Sequence, residues 1–262
     1  MLAILDGQTM AAEEARIPAT DEGFLRGDGV FEVVRIYGGR PFALDEHLVR
    51  MAGSARNLRL PFDPEPLRGD VEALLAEGAP GDCAMRLVVT RGGHRLGILE
   101  PLKELPETIA LATVEYAPTR ILDGVKSLSY GANMLATRIA KEEGAQEALL
   151  VTPHGRVLEA PTCSFFYAYD DATLCTPPLS EHILDSITRR AILATSAVTE
   201  QTLTRDDLPR VTEAFLASTL REVHPVATID GAALPAAPGP LSSAAAERVR
   251  AHIEAALGTP IA

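Results

Sequence analysis

A chain of 262 residues that is 47% hydrophobic can bury a substantial core, in one large domain or two modest ones. A net charge of −12 with no basic patch argues against nucleic acid as a partner, and no apolar run is long enough to span a membrane. The cysteines Cys83, Cys163 and Cys175 share no metal-ligand spacing, and the first residues, MLAILDGQTMAAEEAR, lack a basic region followed by an apolar stretch; a cytoplasmic protein with reduced thiols and no metal is expected.

In chain order, LAIL, Asp6-Gly7 and Gln8-Thr9-Met10 predict a hairpin with a type I′ turn. Val30 to Tyr37 and Pro41 to Leu44 flank Gly38-Gly39 as a second hairpin. Asp45 is the expected N-cap of a helix from Glu46 to Leu58, whose apolar residues Leu48, Met51, Ala52 and Ala55 follow the helical period. A helix over Glu65 to Glu77 precedes two apolar strands, Ala84 to Thr90 and Thr108 to Tyr116. Residues 116–120 read as a linker, separating an N-terminal α+β domain (residues 1–115) from a C-terminal domain (121–262). In the second domain a helix is expected over Ala132 to Glu143 and strands at Glu147–Thr152, Val157–Ala160 and Ser164–Tyr169. A helix from Ile187, a strand at Glu213–Ala217 and a last helix over Ser243 to Leu257 complete it.

Of the 24 basic residues only Lys103, Lys126 and Lys141 are lysines. Lys103, in PLKELPE, sits among prolines and acids and should be solvated, and Lys141 complements the dipole at a helix C-terminus. Lys126 lies in GVKSLSY between Val125 and Leu128, where apolar surroundings disfavour its cation and supply a neutral amine able to attack an aldehyde. The segment also suits a lysine whose stem packs while its ammonium reaches water. The tripeptides Arg26-Gly27-Asp28 and Arg68-Gly69-Asp70 could be read as an adhesion module, but the absence of a secretion signal argues against it.

The stretches DEGFLRGDGVFEVVRIYGGRPFALDEHLVRM, GVKSLSY, GAQEALLVTPHGRVLEAPTCSFF, CTPPLSEHILDSITRRAIL and FLASTLREVHPV occur in an order that resembles the class IV aminotransferases, the fold-type IV enzymes of pyridoxal 5'-phosphate (PLP). The resemblance runs over nearly the whole chain. It implies an α+β, two-domain fold: a small α/β N-terminal domain and a larger, β-barrel-like C-terminal domain with flanking helices. It makes Lys126 the Schiff-base lysine and catalytic proton shuttle, and Glu159 the acid on the pyridine nitrogen. Arg50 is the implied phosphate arginine, with Ile187, Thr188, Ser218 and Thr219 as further phosphate contacts and Leu184 against the ring face. Two positions depart from the pattern: Ser164 stands where many members have Asn, and Tyr130 follows the lysine by four residues where some transaminases place a tyrosine at five.

Substrate contacts are expected from Phe31, Arg86 and Arg95, the last in the loop Arg91-Gly92-Gly93-His94-Arg95, where D-amino-acid transaminases carry a carboxylate trap. The resemblance implies transfer of an amino group from a D-amino acid, (R)-amine or branched-chain amino acid to a 2-keto acid. The alternative is aminodeoxychorismate lyase, which eliminates pyruvate. Members of the group are usually homodimers, so a homodimer acting on small molecules is expected.

Overall fold

The computed structural model describes residues 1–78, 81–170 and 172–261. The chain forms two compact units, Met1–Lys103 with Val125–Tyr130 and Ala256–Ala262, and Glu104–Gly124 with Gly131–Ala255.

The first unit contains β1 (Leu2–Leu5), β2 (Gln8–Ala11), α1 (Glu22–Arg26), β3 (Gly29–Tyr37), β4 (Arg40–Pro41), α2 (Leu44–Asn57), α3 (Pro64–Gly78), β5 (Cys83–Thr90) and β6 (Arg95–Glu100). Its strands pair antiparallel in the order β2-β1-β6-β5-β3-β4. Asp6 and Gly7 both take positive φ, 50° and 87°, the backbone a type I′ turn demands. Strand alternation and helical spacing then direct Ile4, Val34, Met85 and Leu87 from the sheet, and Leu48, Met51, Val71 and Leu74 from α2 and α3, into one core.

Three local expectations are corrected in this unit. Ala43, at φ 54°, rather than Asp45, caps α2; Asp45 falls inside the first turn and pairs with Arg68 at 2.6 Å. The second hairpin's return strand is Arg40–Pro41, because the chain turns into the helix immediately afterwards. β6 was not anticipated: its buried face presents Gly97 and Leu99, and glycine weakens the strand signal, yet a Cβ at Gly97 would lie 2.9 Å from Ile4 Cγ2.

The second unit contains β7 (Ile109–Glu115), α4 (Gly131–Glu142), β8 (Glu147–Val151), β9 (Arg156–Val157), β10 (Ser164–Ala168), β11 (Leu174–Thr176), α5 (Ile187–Thr195), β12 (Val198–Glu200), β13 (Leu203–Thr204), β14 (Glu213–Ser218), β15 (Glu222–Ile229), β16 (Ala232–Ala233) and α6 (Pro240–Leu257). They form one mixed sheet in the order β12-β11-β10-β14-β15-β7-β8-β9-β13, with β16 on β15. Among the described residues no ladder joins β12 to β13. β7 and β8 run parallel with α4 in the connection between them, and Ala112, Ala136, Ala140, Ala148 and Leu150 pack together as a β–α–β unit requires. The largest core stacks Phe165 and Tyr167 with Leu149, Leu216 and Val226.

The boundary expected at residues 116–120 lies elsewhere, between Lys103 and Glu104. β7 belongs with the second unit because it pairs parallel with both β8 and β15. Val125–Tyr130 groups with the first, where Phe31 N–H donates to Lys126 O, Leu128 N–H donates to Gly29 O, and Val30 bridges Ser127.

Two glycines separate packing from propensity. A Cβ at Gly29 would lie 2.5 Å from the Val89 carbonyl oxygen and 2.6 Å from Leu128 Cδ1, whereas at Gly53, inside α2, it would meet nothing within 4 Å. Gly29→Ala should lower the unfolding free energy by about 1–3 kcal/mol, and Gly53→Ala should raise it by about 0.5–1 kcal/mol. Urea unfolding measures both, and a Gly29→Ala protein of wild-type stability would mean that β3 can shift away from β5.

Candidate active site

Lys126 is the half-buried amine of the first unit. Its backbone is held from two sides: Ser54 Oγ on α2 accepts the Lys126 N–H at 3.1 Å, and the Lys126 carbonyl accepts the Phe31 N–H at 3.1 Å. Its Nζ stands 4.3 Å from the centroid of the Phe31 ring and 5.8 Å from that of Tyr130. The two rings meet edge to face, 5.2 Å apart. Cation–π attraction of this kind draws an ammonium to the faces of the rings, and the same rings give a neutral amine an apolar wall.

Behind this, β3 and α2 bring three charged or polar side chains together. Glu32 and His47 have no exposed surface, and the Arg50 side chain is 8% exposed. Arg50 makes a fork onto the carboxylate, Nε to Oε1 at 2.7 Å and Nη2 to Oε2 at 2.6 Å. His47 Nδ1 lies 2.8 Å from Oε2; an ionised carboxylate only accepts, so Nδ1 carries the hydrogen. Burial pushes the Glu32 pKa up, but bonds and charge from Arg50 and His47 outweigh it and hold the pKa at about 2, from an ordinary 4.5. His47, Arg50 and Ser54 recur at i, i+3 and i+7, which puts them on one face of α2.

In the second unit, Glu159 follows β9, and its Oε1 accepts the Leu184 N–H at 2.9 Å, so the two residues expected at the cofactor ring adjoin each other. Ser186 caps α5, its hydroxyl accepting the Arg189 N–H, and the buried Ile187 and Thr188 form the first turn, which contains no acid. Ser218 ends β14, and its Oγ accepts the Arg221 N–H at 3.3 Å across the turn that carries Thr219. Arg221 Nη1 lies 2.8 Å from His224 Nδ1, and His224 Nε2 lies 2.8 Å from Pro106 O. A carbonyl only accepts, so Nε2 carries the hydrogen and Nδ1 takes one from Arg221; burial and the Arg221 charge keep the His224 pKa low. Ser164 is buried, with no hydrogen-bond partner for its Oγ.

The arginines expected to meet substrate are already engaged. Arg86 makes a bidentate pair with Glu100, at 2.7 and 2.9 Å. Arg95 Nε donates to Asp70 at 2.8 Å, and its residue opens β6 rather than lying in a loop. Asp70 belongs to one of the two adhesion-like tripeptides and is buried, while Asp28 of the other pairs with Arg91. Phe31 is buried beside Lys126 as described above. Sequence reasoning assigned nothing to Glu32, His47 or Ser54; the available signal was the i, i+3, i+7 polar stripe on α2, paired with a glutamate in the otherwise apolar VFEVVRIY.

The amino-transferase class IV family pattern matches residues 29–229. The chain is 32% identical to a D-alanine aminotransferase from Bacillus licheniformis, over 92% of this chain and 93% of that protein. It is 34% identical to a putative branched-chain-amino-acid aminotransferase from Methanocaldococcus jannaschii, over 87% of each. Among solved structures, a branched-chain aminotransferase from Thermoproteus uzoniensis superposes with a TM-score of 0.88 at 27% identity, covering 98% of this chain and 95% of that one. A PLP-bound hypothetical aminotransferase from Mycobacterium tuberculosis gives 0.86 at 28% identity, covering 97% and 99%. The chain belongs to the class IV aminotransferases: it has the fold-type IV architecture and is a PLP-dependent transaminase. Its substrates are therefore an amino donor and a keto acid. Among the described residues no helix is long and apolar enough to cross a membrane.

The Glu32 cluster gives the protein an acid-sensitive element. The carboxyl ionises near 2 in the folded chain and at an ordinary 4.5 when unfolded, so its stabilisation is complete above about pH 4.5 and is lost as pH falls toward 2. The wild-type unfolding free energy should fall across that window by more than that of Glu32→Gln, by on the order of 3 kcal/mol. Urea titrations at pH 5 and pH 3, between which about 2 kcal/mol of that difference falls, compare them, and parallel losses in the two proteins would place the acid sensitivity elsewhere.

Proposed function

We propose that this transaminase transfers an amino group from a D-amino acid, (R)-amine or branched-chain amino acid to a 2-keto acid, with Lys126 as the residue that bonds the cofactor. The observation that carries the reading is the placement of Lys126 Nζ: an amine over the Phe31 ring, flanked by Tyr130, on a backbone pinned by Ser54 and Phe31. Donors in these classes that carry an apolar substituent suit an aromatic wall. Arg86 and Arg95 are held by Glu100 and Asp70, so their recruitment to a substrate carboxylate would require breaking an ion pair.

The residues present fit PLP. Each unit carries donors suited to a phosphate: the guanidinium of Arg50 in the first, and the first turn of α5 with Thr188 and the hydroxyls of Ser218 and Thr219 in the second. Glu159 is the acid proposed for the pyridine nitrogen, oriented by the Leu184 N–H on its Oε1. When bound, PLP supplies an aldehyde that condenses with amines and a protonated ring that withdraws electrons from the bonds around the substrate's α-carbon. Lys126 Nζ would hold the cofactor through its aldehyde and, as a free amine, would take up the substrate's α-proton and return it. Glu159 would hold a proton at the ring nitrogen, and Phe31 and Tyr130 would exclude water beside Nζ. Two copies of the chain are proposed to form a homodimer, in a reducing cytoplasm consistent with the free thiols of Cys83, Cys163 and Cys175.

Borohydride treatment of the yellow holoenzyme should fix the cofactor on Lys126, and an adduct mapped to Lys103 or Lys141 would remove the reading. Single amino donors should each convert the cofactor to its amine form in the absence of acceptor; pyruvate released without a co-substrate would point to the lyase instead.

Arg50→Ala should weaken cofactor affinity by roughly 10- to 150-fold, the worth of one charge-assisted bond of about 1.5–3 kcal/mol. Arg56→Ala, at an exposed position of the same helix, should retain the cofactor on dialysis. Equal retention in the two variants would mean that the phosphate binds elsewhere.

A further inference from the structure

We propose that Glu32 is a positioning residue for the cofactor phosphate: its buried carboxylate fixes the plane and reach of the Arg50 guanidinium, and His47 braces that carboxylate from one turn earlier on α2. The inference rests on the assignment of the phosphate to Arg50 made above.

The geometry has features that ion pairing alone would not require. Both oxygens of Glu32 are used on the same guanidinium, through Nε and Nη2, so the group is held in rotation as well as in position. Oε2 accepts a second bond, from His47 Nδ1, which fixes the carboxylate in turn. The acid comes from β3 and its two partners from α2, so the fork depends on the packing of two elements rather than on one flexible loop. Burial makes the arrangement rigid: Glu32 and His47 have no exposed surface, and His47 Nε2 is buried without a hydrogen-bond partner, so neither side chain has a solvated alternative nearby.

Arginine on an open helix face would lose much side-chain freedom on binding phosphate; held by Glu32, it has lost that freedom already, so the free energy of ordering is taken from folding rather than from affinity. An opposing effect exists, because a carboxylate beside Arg50 reduces the net positive charge that a dianion meets. The two effects predict opposite signs for the loss of Glu32. The largely buried bidentate geometry favours positioning, since an Arg50 left without its acid in this environment would be driven out of place toward water.

Apoprotein is titrated with PLP and, separately, with pyridoxal, which has the aldehyde and ring but no phosphate; binding is followed by cofactor absorbance. Glu32→Gln places an amide N–H against donors that already point at it, and should weaken PLP binding roughly tenfold or more while leaving pyridoxal binding as in wild type. Glu32→Asp keeps the charge but withdraws the fork by one methylene. It should show the same selective loss, and it carries the test should the glutamine variant fail to fold. PLP affinity that is unchanged or tighter in either variant overturns the proposal, as does equal weakening of PLP and pyridoxal, which would mark general damage to the unit. Arg50→Lys is the companion measurement. If it binds PLP as wild type does, the phosphate assignment itself is wrong; if it loses PLP affinity while both Glu32 variants keep theirs, the assignment stands and the positioning role alone is lost.

Discussion

A carboxylate with no exposed surface is among the most costly groups a small α/β unit can contain, and Glu32 is tolerated only because three donors converge on it. That requirement constrains much of the first unit. The strand must present residue 32 toward α2, which sets the face on which Val30, Val34 and Ile36 enter the core. The helix must present residues 47 and 50 back toward the strand, which sets its rotation and so directs Leu48, Met51 and Ala55 inward. The polar cluster and the apolar core therefore specify the same packing. A shift of β3 by one residue would bury the wrong face and leave a charge without partners.

The same helix face reaches the lysine. Ser54, one turn beyond Arg50, accepts the Lys126 N–H, while the neighbouring strand β3 donates the Phe31 N–H to the Lys126 carbonyl. Lys126 is thus fastened by its backbone to the two elements that carry the Glu32–Arg50 pair, although more than seventy residues of chain separate it from Ser54. A side chain whose backbone is hydrogen-bonded to regular elements is positioned more exactly than one on a loop. This explains why the segment Val125–Tyr130 leaves the unit that follows it in sequence and packs with the first.

The elements that sequence made visible are those whose residues carry their own reasons. The Asp6-Gly7 turn follows from two residues that tolerate positive φ, α5 from Ser186 and an apolar spacing, and β3 and β5 from their dense branched residues. What escaped notice was too short to show a period of its own. β11, β12, β13 and β16 are only two or three residues long and exist because neighbours in the sheet complete them. Leu158 to Ala160, expected as strand, follow Arg156–Val157 outside it, with Glu159 turned to meet Leu184. The candidate site residues divide in the same way. Residues set within recognisable stretches, such as Lys126, Glu159 and Thr188, could be singled out from the sequence, whereas Glu32 and Ser54 look like ordinary strand and helix residues until α2 is placed against them.

The ion pairs around the first unit's sheet bear on which substrates suit the enzyme. Arg86, Arg91 and Arg95 each face an acid of their own chain, namely Glu100, Asp28 and Asp70. Asp70 is buried, and a buried acid stripped of its arginine would have to take up a proton or remain charged at a cost of several kcal/mol. A substrate carboxylate could recruit Arg95 only by offering more than Asp70 already provides, and Asp70 has no association entropy to overcome. By the same reasoning Arg86 favours Glu100. Phe31 and Tyr130 beside Lys126 can accept an apolar substituent without displacing any such pair. Discrimination built from an aromatic wall is shallow, since a methylene more or less changes binding by only about 1–3 kcal/mol. A wall of this kind separates small apolar donors by degree rather than by exclusion.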